Sequence, residues 1–325
     1  MGKLATSLLS AVMAAGLLAG CGGNNSTEQG NEGKKEEKTE TAQAAFPVTI
    51  KDATGKDVTI EEQPDRIVSL IPSNTEIAFE LGLENEIVGV TDFDNYPKEA
   101  TEKEKIGGLD FNVEKVVSLE PDLVLAHGSN VNSSKEGFEQ LEAAGIDVLV
   151  INEAQNFEEV YDSIEMIGEA TGKTAEAGEV VEEMKSDLEE IEKKAEGITE
   201  EEQKRVFIEV SPAPEIYTTG KNTFMQEMLD IIHAENVAAD QEGWIQMTEE
   251  AIIQKDPEVI LVTHGFYTEQ PVEQIMGRKG WEDITAVKEK QVHDVNADLV
   301  NRSGPRLVEG VEELAKAIYP DVFAQ

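Results

Sequence analysis

Cysteine, histidine and aromatic residues are scarce in this chain of 325 residues, which has one Cys, four His and 5% aromatic residues. A single cysteine excludes an intrachain disulfide and any metal site built from several thiolates. Basic residues are also few, because 27 Lys and Arg stand against 67 Asp and Glu, for a net charge of −40. Nucleic-acid binding needs clustered cationic side chains, so this balance argues against a nucleic-acid partner.

The amino terminus carries a short apolar run that reads as an export signal. Residues 4–19 are uncharged, but the run is too short and too rich in small residues to span a bilayer well, so it predicts a signal peptide over residues 1–20. The run ends in Leu18-Ala19-Gly20-Cys21, which resembles a bacterial lipobox and predicts acylation of Cys21. An ordinary secreted protein with a chance cysteine is the alternative.

Residues 21–45 are polar and nearly free of large apolar side chains. Such a segment cannot bury enough surface to offset its chain entropy, so it predicts a disordered tether that begins at the acylated Cys21. A lipid, a tether and a globular body together predict an extracytoplasmic protein that contacts the cell membrane through its lipid anchor only.

The rest of the chain alternates short apolar runs with amphipathic stretches. Val48 to Ile60 predicts two short strands around a turn, a hairpin. Ser73 or Asn74 is placed to cap a helix that runs to Leu81. Strands that alternate with helices predict α/β lobes on mostly parallel sheets. The strand candidates are residues 66–71, 87–90, 123–126, 147–151 and 205–210.

The stretch from Thr174 to Gly197 is different, because its apolar residues recur at steps of three and four. It predicts one amphipathic helix, about 35 Å long at ~1.5 Å per residue. A coiled coil is the alternative, but the stripe is short and has α/β sequence on both sides. We therefore predict two Rossmann-like lobes with central parallel sheets, residues 46–172 and 199–325, joined by one long α-helix at residues 173–198. The apolar positions are Ala177, Val180, Val181, Met184, Leu188, Ile191 and Ala195.

One pattern occurs twice and indicates that the lobes are related halves. Glu114 stands seven residues before Pro121, and Glu250 stands seven residues before Pro257. In both copies the sequence then predicts a turn and a strand that ends in His-Gly. The two lobes are thus expected to present equivalent surfaces.

Together these segments resemble the substrate-binding proteins of ABC importers for vitamin B12, iron–siderophores and haem, whose lobes are joined by one long helix. The segments are residues 66–89, 113–126, 244–262 and 296–307, and the resemblance extends from Phe46 to the C-terminus. Ser73-Asn74-Thr75-Glu76 and the following Asp92–Pro97 look most like the B12-binding branch. The resemblance implies a monomeric receptor without cofactor that delivers a small molecule to a permease with separate ATPase subunits.

The resemblance also implies which residues bind the ligand between the lobes. Phe93, Tyr217 and Trp244 match aromatic positions that grip the corrin ring in B12 binders. Asp298 and Arg302 match a polar pair that hydrogen-bonds the ligand, although they could simply pair with each other. A large flat macrocycle uses apolar area and stacking together, so these residue types suit it.

The chain departs from the B12 pattern at two positions, where Gly108 and His127 stand in place of tryptophan. His127 and His264 both follow strands whose carboxyl ends are expected at the cleft, so either could ligate iron or cobalt. We count His127 among the ligand-binding residues and predict no metal site of the protein's own. An iron–siderophore or haem receptor is the alternative to a corrinoid receptor, and a catechol siderophore is less favoured because the body has few Arg residues.

An enzyme is the competing class. The sequence has no Gly-x-Ser-x-Gly elbow, no Walker-type phosphate loop and no His-Glu-x-x-His helix. A metal-dependent surface enzyme is therefore the least favoured function, and no catalytic residue is predicted. The resemblance instead implies that one acidic residue on each lobe docks onto arginines of the permease, and Glu114 and Glu250 match those positions.

Overall fold

The computed structural model describes residues 46–324, so the predicted signal peptide, the lipidation of Cys21 and most of the tether lie outside the described residues. Within that range no helix has the length and apolar character needed to cross a membrane. The described chain begins with the predicted hairpin, in which β1 (Val48–Lys51) and β2 (Asp57–Ile60) pair antiparallel.

The first lobe is built on a five-stranded parallel sheet. Its strands are β3 (Ile67–Ser69), β4 (Ile87–Val90), β5 (Glu104–Lys105), β6 (Leu123–His127) and β7 (Asp147–Ile151). They lie in the order β5-β4-β3-β6-β7. The helices of this lobe are α1 (Pro72–Glu80), α2 (Val113–Ser118), α3 (Val131–Ala143) and α4 (Phe157–Thr171), with short 3-10 turns at Lys98–Glu102 and Gly128–Asn130.

The second lobe follows the long helix α5 (Thr174–Ala195). Its parallel sheet has the order β10-β8-β12-β13, and a separate antiparallel ribbon pairs β9 with β11. The strands are β8 (Arg205–Glu209), β9 (Tyr217–Thr219), β10 (Glu235–Asn236), β11 (Trp244–Gln246), β12 (Val259–Val262) and β13 (Val292–Asp294). The helices are α6 (Phe224–Ile231), α7 (Glu249–Lys255), α8 (Pro271–Met276), α9 (Thr285–Glu289), α10 (Ala297–Asn301), α11 (Leu307–Ile318) and α12 (Pro320–Phe323). Two lobes with parallel sheets, as predicted, are thus confirmed.

Helix α5 is part of one continuous core, not a free spacer. Its stripe is buried at every predicted position except Val180, which is partly buried. The helix packs against α4 of the first lobe and against α6 and α11 of the second. Burial against both lobes, and not against another long helix, excludes the coiled-coil alternative for the described chain. A shared core also predicts small relative movements of the lobes, since packed interiors deform little.

The duplicated pattern has duplicated geometry. Glu120 and Asp256, which stand between the end of α2 or α7 and the following proline, have positive φ angles of 47° and 44°. Val116 and Ile252, two residues after the repeated glutamates, are both fully buried. In each copy the acidic side chain after the proline accepts a hydrogen bond from a backbone N–H at the start of a neighbouring strand. Asp122 accepts from Arg66, just before β3, and Glu258 accepts from Arg205, the first residue of β8.

The predicted cap of the helix after β3 is wrong. α1 begins at Pro72 and has no side-chain cap, so Ser73 and Asn74 lie inside its first turn. Proline opens a helix well because its φ is preset and it has no N–H to satisfy. Asn74 instead donates its side-chain N–H to the backbone oxygen of Ala126 (2.9 Å), which ties α1 to β6. The helix ends at Glu80, one residue before the predicted end.

Candidate functional site

Each sheet reverses its strand order at one point, between β3 and β6 in the first lobe and between β8 and β12 in the second. Open α/β sheets bind ligands at the carboxyl ends of such strands. A cavity of about 290 Å³ is lined by the segment after β3 and by the end of β6, and residues from both lobes form its walls. Its lining is Ile71, Pro72, Ser73, His127, Ser129, Glu153, Ala154 and Gln155 from the first lobe and Phe224, Trp244, Asn301, Arg302 and Ser303 from the second.

A second cavity of about 320 Å³ runs along α5, and six of its fourteen lining residues are Asp or Glu. It is slightly larger, but it contains neither His127 nor an unsatisfied buried polar atom. We therefore place the candidate site in the cavity between the strand ends.

Three buried polar atoms on the walls of the candidate site have no hydrogen-bond partner within the described residues. They are Ser73 Oγ, His127 Nε2 and Asn301 Oδ1. Native proteins satisfy most buried polar atoms, so unsatisfied atoms that line one cavity indicate a missing partner. The set includes hydroxyl, imidazole and amide chemistry and can therefore both donate and accept hydrogen bonds.

His127 is the last residue of β6 and only 5% exposed. Its Nδ1 accepts the backbone N–H of Ser129 (3.3 Å) and lies 2.8 Å from the Ser129 hydroxyl. Burial lowers the pKa of His127 to about 4, although the Asn152 backbone partly opposes this shift. The imidazole is therefore neutral near pH 7, and because Nδ1 accepts the Ser129 N–H, its proton lies on Nε2, which can donate to a ligand.

Trp244 forms the aromatic wall that the second lobe gives to this cavity. It is 43% exposed, and its ring meets Phe224 edge-on at 6.1 Å between centroids. Tyr217 pairs with Gln246, two residues beyond Trp244, on the β9–β11 ribbon. Because paired residues share a face of an antiparallel ribbon, Tyr217 lies on the same face as Trp244.

Phe93 lies in the loop after β4 and is half exposed, but it is not part of the cavity lining. The ring lies over Gly108, where a Cβ would stand 3.4 Å from it. The position that lacks a tryptophan is thus covered by Phe93. The Phe93 carbonyl also accepts a long hydrogen bond from Arg302 (3.4 Å).

The two lobes are joined beside the cavity by a buried carboxylate. Glu76 on α1 accepts hydrogen bonds from Arg302 (2.8 Å) and from Arg306 (2.7 and 2.9 Å) of the second lobe. Burial would lower the pKa of Arg306, but Glu76 outweighs it and raises that pKa. The Arg306 guanidinium also stacks on Tyr96, 3.7 Å from the ring centroid.

Asp298 and Arg302 do pair with each other, at 2.9 Å. They also hold a residue of the opposite lobe: Asn95 donates to Asp298 (2.8 Å) and accepts from Arg302 (2.8 Å). Arg302 faces the cavity, whereas Asp298 lies one helical turn away on α10.

His264 is not available as a ligand of iron or cobalt, which corrects one alternative. Its Nε2 lies 3.1 Å from Glu209 and its Nδ1 lies 3.0 Å from the Thr268 hydroxyl. Arg278 binds the same carboxylate with two hydrogen bonds of 2.7 and 2.8 Å. Burial alone would raise the pKa of Glu209, but Arg278 and His264 together hold it below its usual range.

Glu114 and Glu250 lie outside the cavity, at the second positions of α2 and α7. Both side chains are exposed, and neither has a hydrogen bond or ion pair with another described residue. Each helix is capped in the same way, by Asn112 or Thr248 at the residue before the first turn. The two carboxylates therefore occupy equivalent places on the two lobes.

Sequence reasoning missed Phe224, Glu76, Asn95 and Arg306. Phe224 carried a partial signal, because Thr223 is a good helix cap and the ring follows it. The other three act through contacts across the lobes, and Glu76 and Arg306 are 230 residues apart. Within the described residues, no cluster of three His, Cys, Asp or Glu could hold a metal ion.

The family described as "Periplasmic binding protein" matches residues 67–299. The chain belongs to this family. It is 55% identical to an uncharacterized ABC transporter substrate-binding lipoprotein of Bacillus subtilis over 97% of this chain and 96% of that protein.

Two further relatives bear on the ligand. A cobalamin-binding protein of Halobacterium salinarum is 30% identical over 85% of this chain and 75% of that protein. A crystal structure from Staphylococcus epidermidis, described as a possible iron-binding (periplasmic solute-binding) protein, is 37% identical. It covers 79% of this chain and 100% of its own, with a TM-score of 0.73. The family is thus one of periplasmic solute-binding proteins.

Proposed function

We propose that the chain is an extracytoplasmic receptor that binds a corrinoid between its lobes and delivers it to the permease of an ABC importer. The observation that carries the proposal is the cavity between the strand ends, where Trp244 and Phe224 stand beside three unsatisfied polar atoms. A corrinoid offers a broad ring for aromatic contact and amide groups for hydrogen bonds. The similarity to a cobalamin-binding protein over 85% of the chain supports the same ligand class.

The cavity has a volume of about 290 Å³, at the lower end of the range for small-molecule sites. A whole corrinoid is larger than this cavity. One edge of the ligand would therefore enter the cavity, and the rest of the ligand would lie against the exposed β9–β11 ribbon. Tyr217 and Trp244 on the ribbon and Phe93 on the first lobe would contact its faces. His127, Asp298 and Arg302 would bind its polar groups.

Delivery to the importer would use the exterior of the lobes. Glu114 and Glu250 are exposed, lack partners in the described chain and repeat at equivalent helix starts, as two-point docking onto a permease with separate ATPase subunits requires. Acylated Cys21 would keep the receptor, as a monomer, at the outer face of the membrane. The similarity to a substrate-binding lipoprotein over 97% of the chain supports this arrangement.

A haem or iron–siderophore receptor is the second candidate, and His127 is the observation that favours it. The neutral, buried imidazole of His127 can ligate haem iron through Nε2 once its proton lies on Nδ1, where the Ser129 hydroxyl at 2.8 Å can accept it. The Staphylococcus epidermidis structure adds support for iron-containing ligands.

Visible spectra of the purified protein distinguish the two ligands. The protein is dialysed against cyanocobalamin or haemin, and free ligand is removed by gel filtration. The corrinoid function predicts that the cobalamin spectrum co-elutes with the protein and that Trp244→Ala loses it. A Soret band that His127→Ala abolishes, without retention of cobalamin, would favour the haem receptor instead.

A further inference from the structure

The side chain of Asn95 fills a binding position formed by Asp298 and Arg302. Its Nδ2 lies 2.8 Å from Asp298 Oδ2, and its Oδ1 lies 2.8 Å from Arg302 Nη1. A carboxylate can only accept and a guanidinium can only donate, so the amide orientation is fixed by its two partners. Asp298 and Arg302 thus recognise both ends of one primary carboxamide.

The loop that carries Asn95 is held in place from behind. Asp94 is buried and accepts hydrogen bonds from the backbone N–H and the hydroxyl of Thr91. Lys105 donates to the backbone oxygens of Thr91 (3.0 Å) and Asp94 (3.1 Å). The backbone next to Asn95 is therefore held in place, whereas the Asn95 side chain itself is exposed and reaches the opposite lobe.

Exposure shows that Asn95 is not locked into the core. The residue is exposed, and its partner Asp298 keeps a third of its side-chain area in contact with solvent. If Asn95 leaves, Arg302 retains its hydrogen bonds to Glu76 and to the Phe93 carbonyl and its ion pair with Asp298. Asp298 then loses one N–H donor and Arg302 loses one acceptor, and a ligand carboxamide can replace both.

We propose that Asn95 is an internal competitor that occupies the carboxamide-binding position until a ligand with primary amides displaces it. The proposal rests on the proposed corrinoid function, because the peripheral acetamide and propionamide groups of a corrinoid have the chemistry of the Asn95 side chain. Asp298 makes the position selective, since a ligand carboxylate would bring two negative charges together and lack the required donor. The contact between the lobes at Asn95 thus opens as the ligand amide binds.

The first test needs no corrinoid and uses a double-mutant cycle of Asn95→Ala and Asp298→Ala in the ligand-free protein. Urea unfolding should show that the two changes are coupled by roughly fivefold in the unfolding equilibrium constant. The matched cycle of Asn132→Ala with Asp298→Ala should be additive, because Asn132 is exposed on α3 and has no side-chain partner in the described chain. Additivity in the Asn95 cycle as well would overturn the inference.

The second test measures cyanocobalamin binding by equilibrium dialysis. Removal of a competitor predicts that Asn95→Ala and the isosteric Asn95→Asp bind roughly three- to tenfold more tightly than the wild type, whereas Asp298→Ala binds more weakly. Unchanged or weaker binding by both Asn95 variants would refute the role of Asn95 as competitor. If no protein binds cyanocobalamin, the corrinoid function fails, and the ligand-free cycle still decides whether Asn95 fills the position.

Discussion

Glu76 and Arg306 join the two lobes through a carboxylate that is almost fully buried. Two hydrogen bonds of 2.7 and 2.9 Å connect them across 230 residues of sequence, and Arg302 binds the same carboxylate. Removal of one partner from a buried ion pair leaves the other charge without compensation. This contact therefore sets the relation between the lobes beside the candidate site.

The substitution Glu76→Gln is expected to destabilise the protein strongly. Two arginines would lose their buried counter-charge, so the free energy of unfolding should fall by about 3 kcal/mol or more. Urea unfolding followed by circular dichroism measures the change. Glu80→Gln is the matched control, because Glu80 is the exposed last residue of the same helix. A similar small effect at both positions would contradict the role of Glu76.

The protonation of His127 predicts a pH-dependent loss of stability. Its folded-state pKa is about 4, below the ordinary 6.5, so the unfolded chain binds the proton more tightly. This contribution is fully present above pH ~6.5 and is lost as pH falls towards 4, by about 3 kcal/mol in all. We expect the stability difference between wild type and His127→Gln to shift in favour of the variant from pH 7 to pH 4. A difference that is independent of pH would contradict a buried neutral imidazole.

Truncation of Trp244 should weaken ligand binding in steps. Trp244→Phe keeps a ring that can still meet Phe224, whereas Trp244→Ala removes the aromatic wall. Burial of aromatic area predicts a loss of roughly threefold for Phe and roughly thirtyfold or more for Ala in the Kd for cyanocobalamin. Equilibrium dialysis measures both values. Wild-type affinity in the Ala variant would exclude Trp244 from the binding surface.

Charge reversal at the two repeated glutamates tests docking separately from binding. The double variant Glu114→Lys and Glu250→Lys should bind ligand as the wild type does but should not deliver it to the importer, because two favourable contacts become repulsive. Uptake by cells and ligand binding by the purified protein are the two measurements. Glu136→Lys with Glu273→Lys is the control, with one exposed glutamate on each lobe. Wild-type uptake by the first pair would refute docking at these positions.

Much of the fold could be predicted because its elements have strong local patterns. The period of the apolar stripe predicted α5 to within two residues at its end, and the run from Asp147 to Ile151 is a strand with those bounds. The cap at Ser73 or Asn74 was wrong because two opposing signals overlap, a capping residue and a proline that begins a helix. Asn74 has a tertiary partner, and no local pattern shows it.

The candidate site was only partly predictable. Trp244, His127 and Arg302 line the cavity. Trp244 and Arg302 were selected by a resemblance of sequence motifs, whereas His127 departs from that pattern and was selected because it follows a strand that ends at the cleft. The partners Glu76 and Asn95 depend on contacts over more than 200 residues, which spacing cannot reveal. The availability of a histidine is likewise a tertiary property. His127 and His264 follow equivalent strands, but within the described residues Nε2 of His127 has no hydrogen-bond partner, whereas Nε2 of His264 lies 3.1 Å from Glu209.

Calorimetric titration of the full chain with cyanocobalamin tests the corrinoid function most directly. We predict saturable 1:1 binding with a Kd at or below about 1 µM, about −8 kcal/mol of binding free energy. Trp244→Ala should weaken this binding, and the Glu114→Lys and Glu250→Lys pair should leave it intact. The absence of binding heat with cyanocobalamin, together with a haemin Soret band that depends on His127, would contradict the corrinoid function.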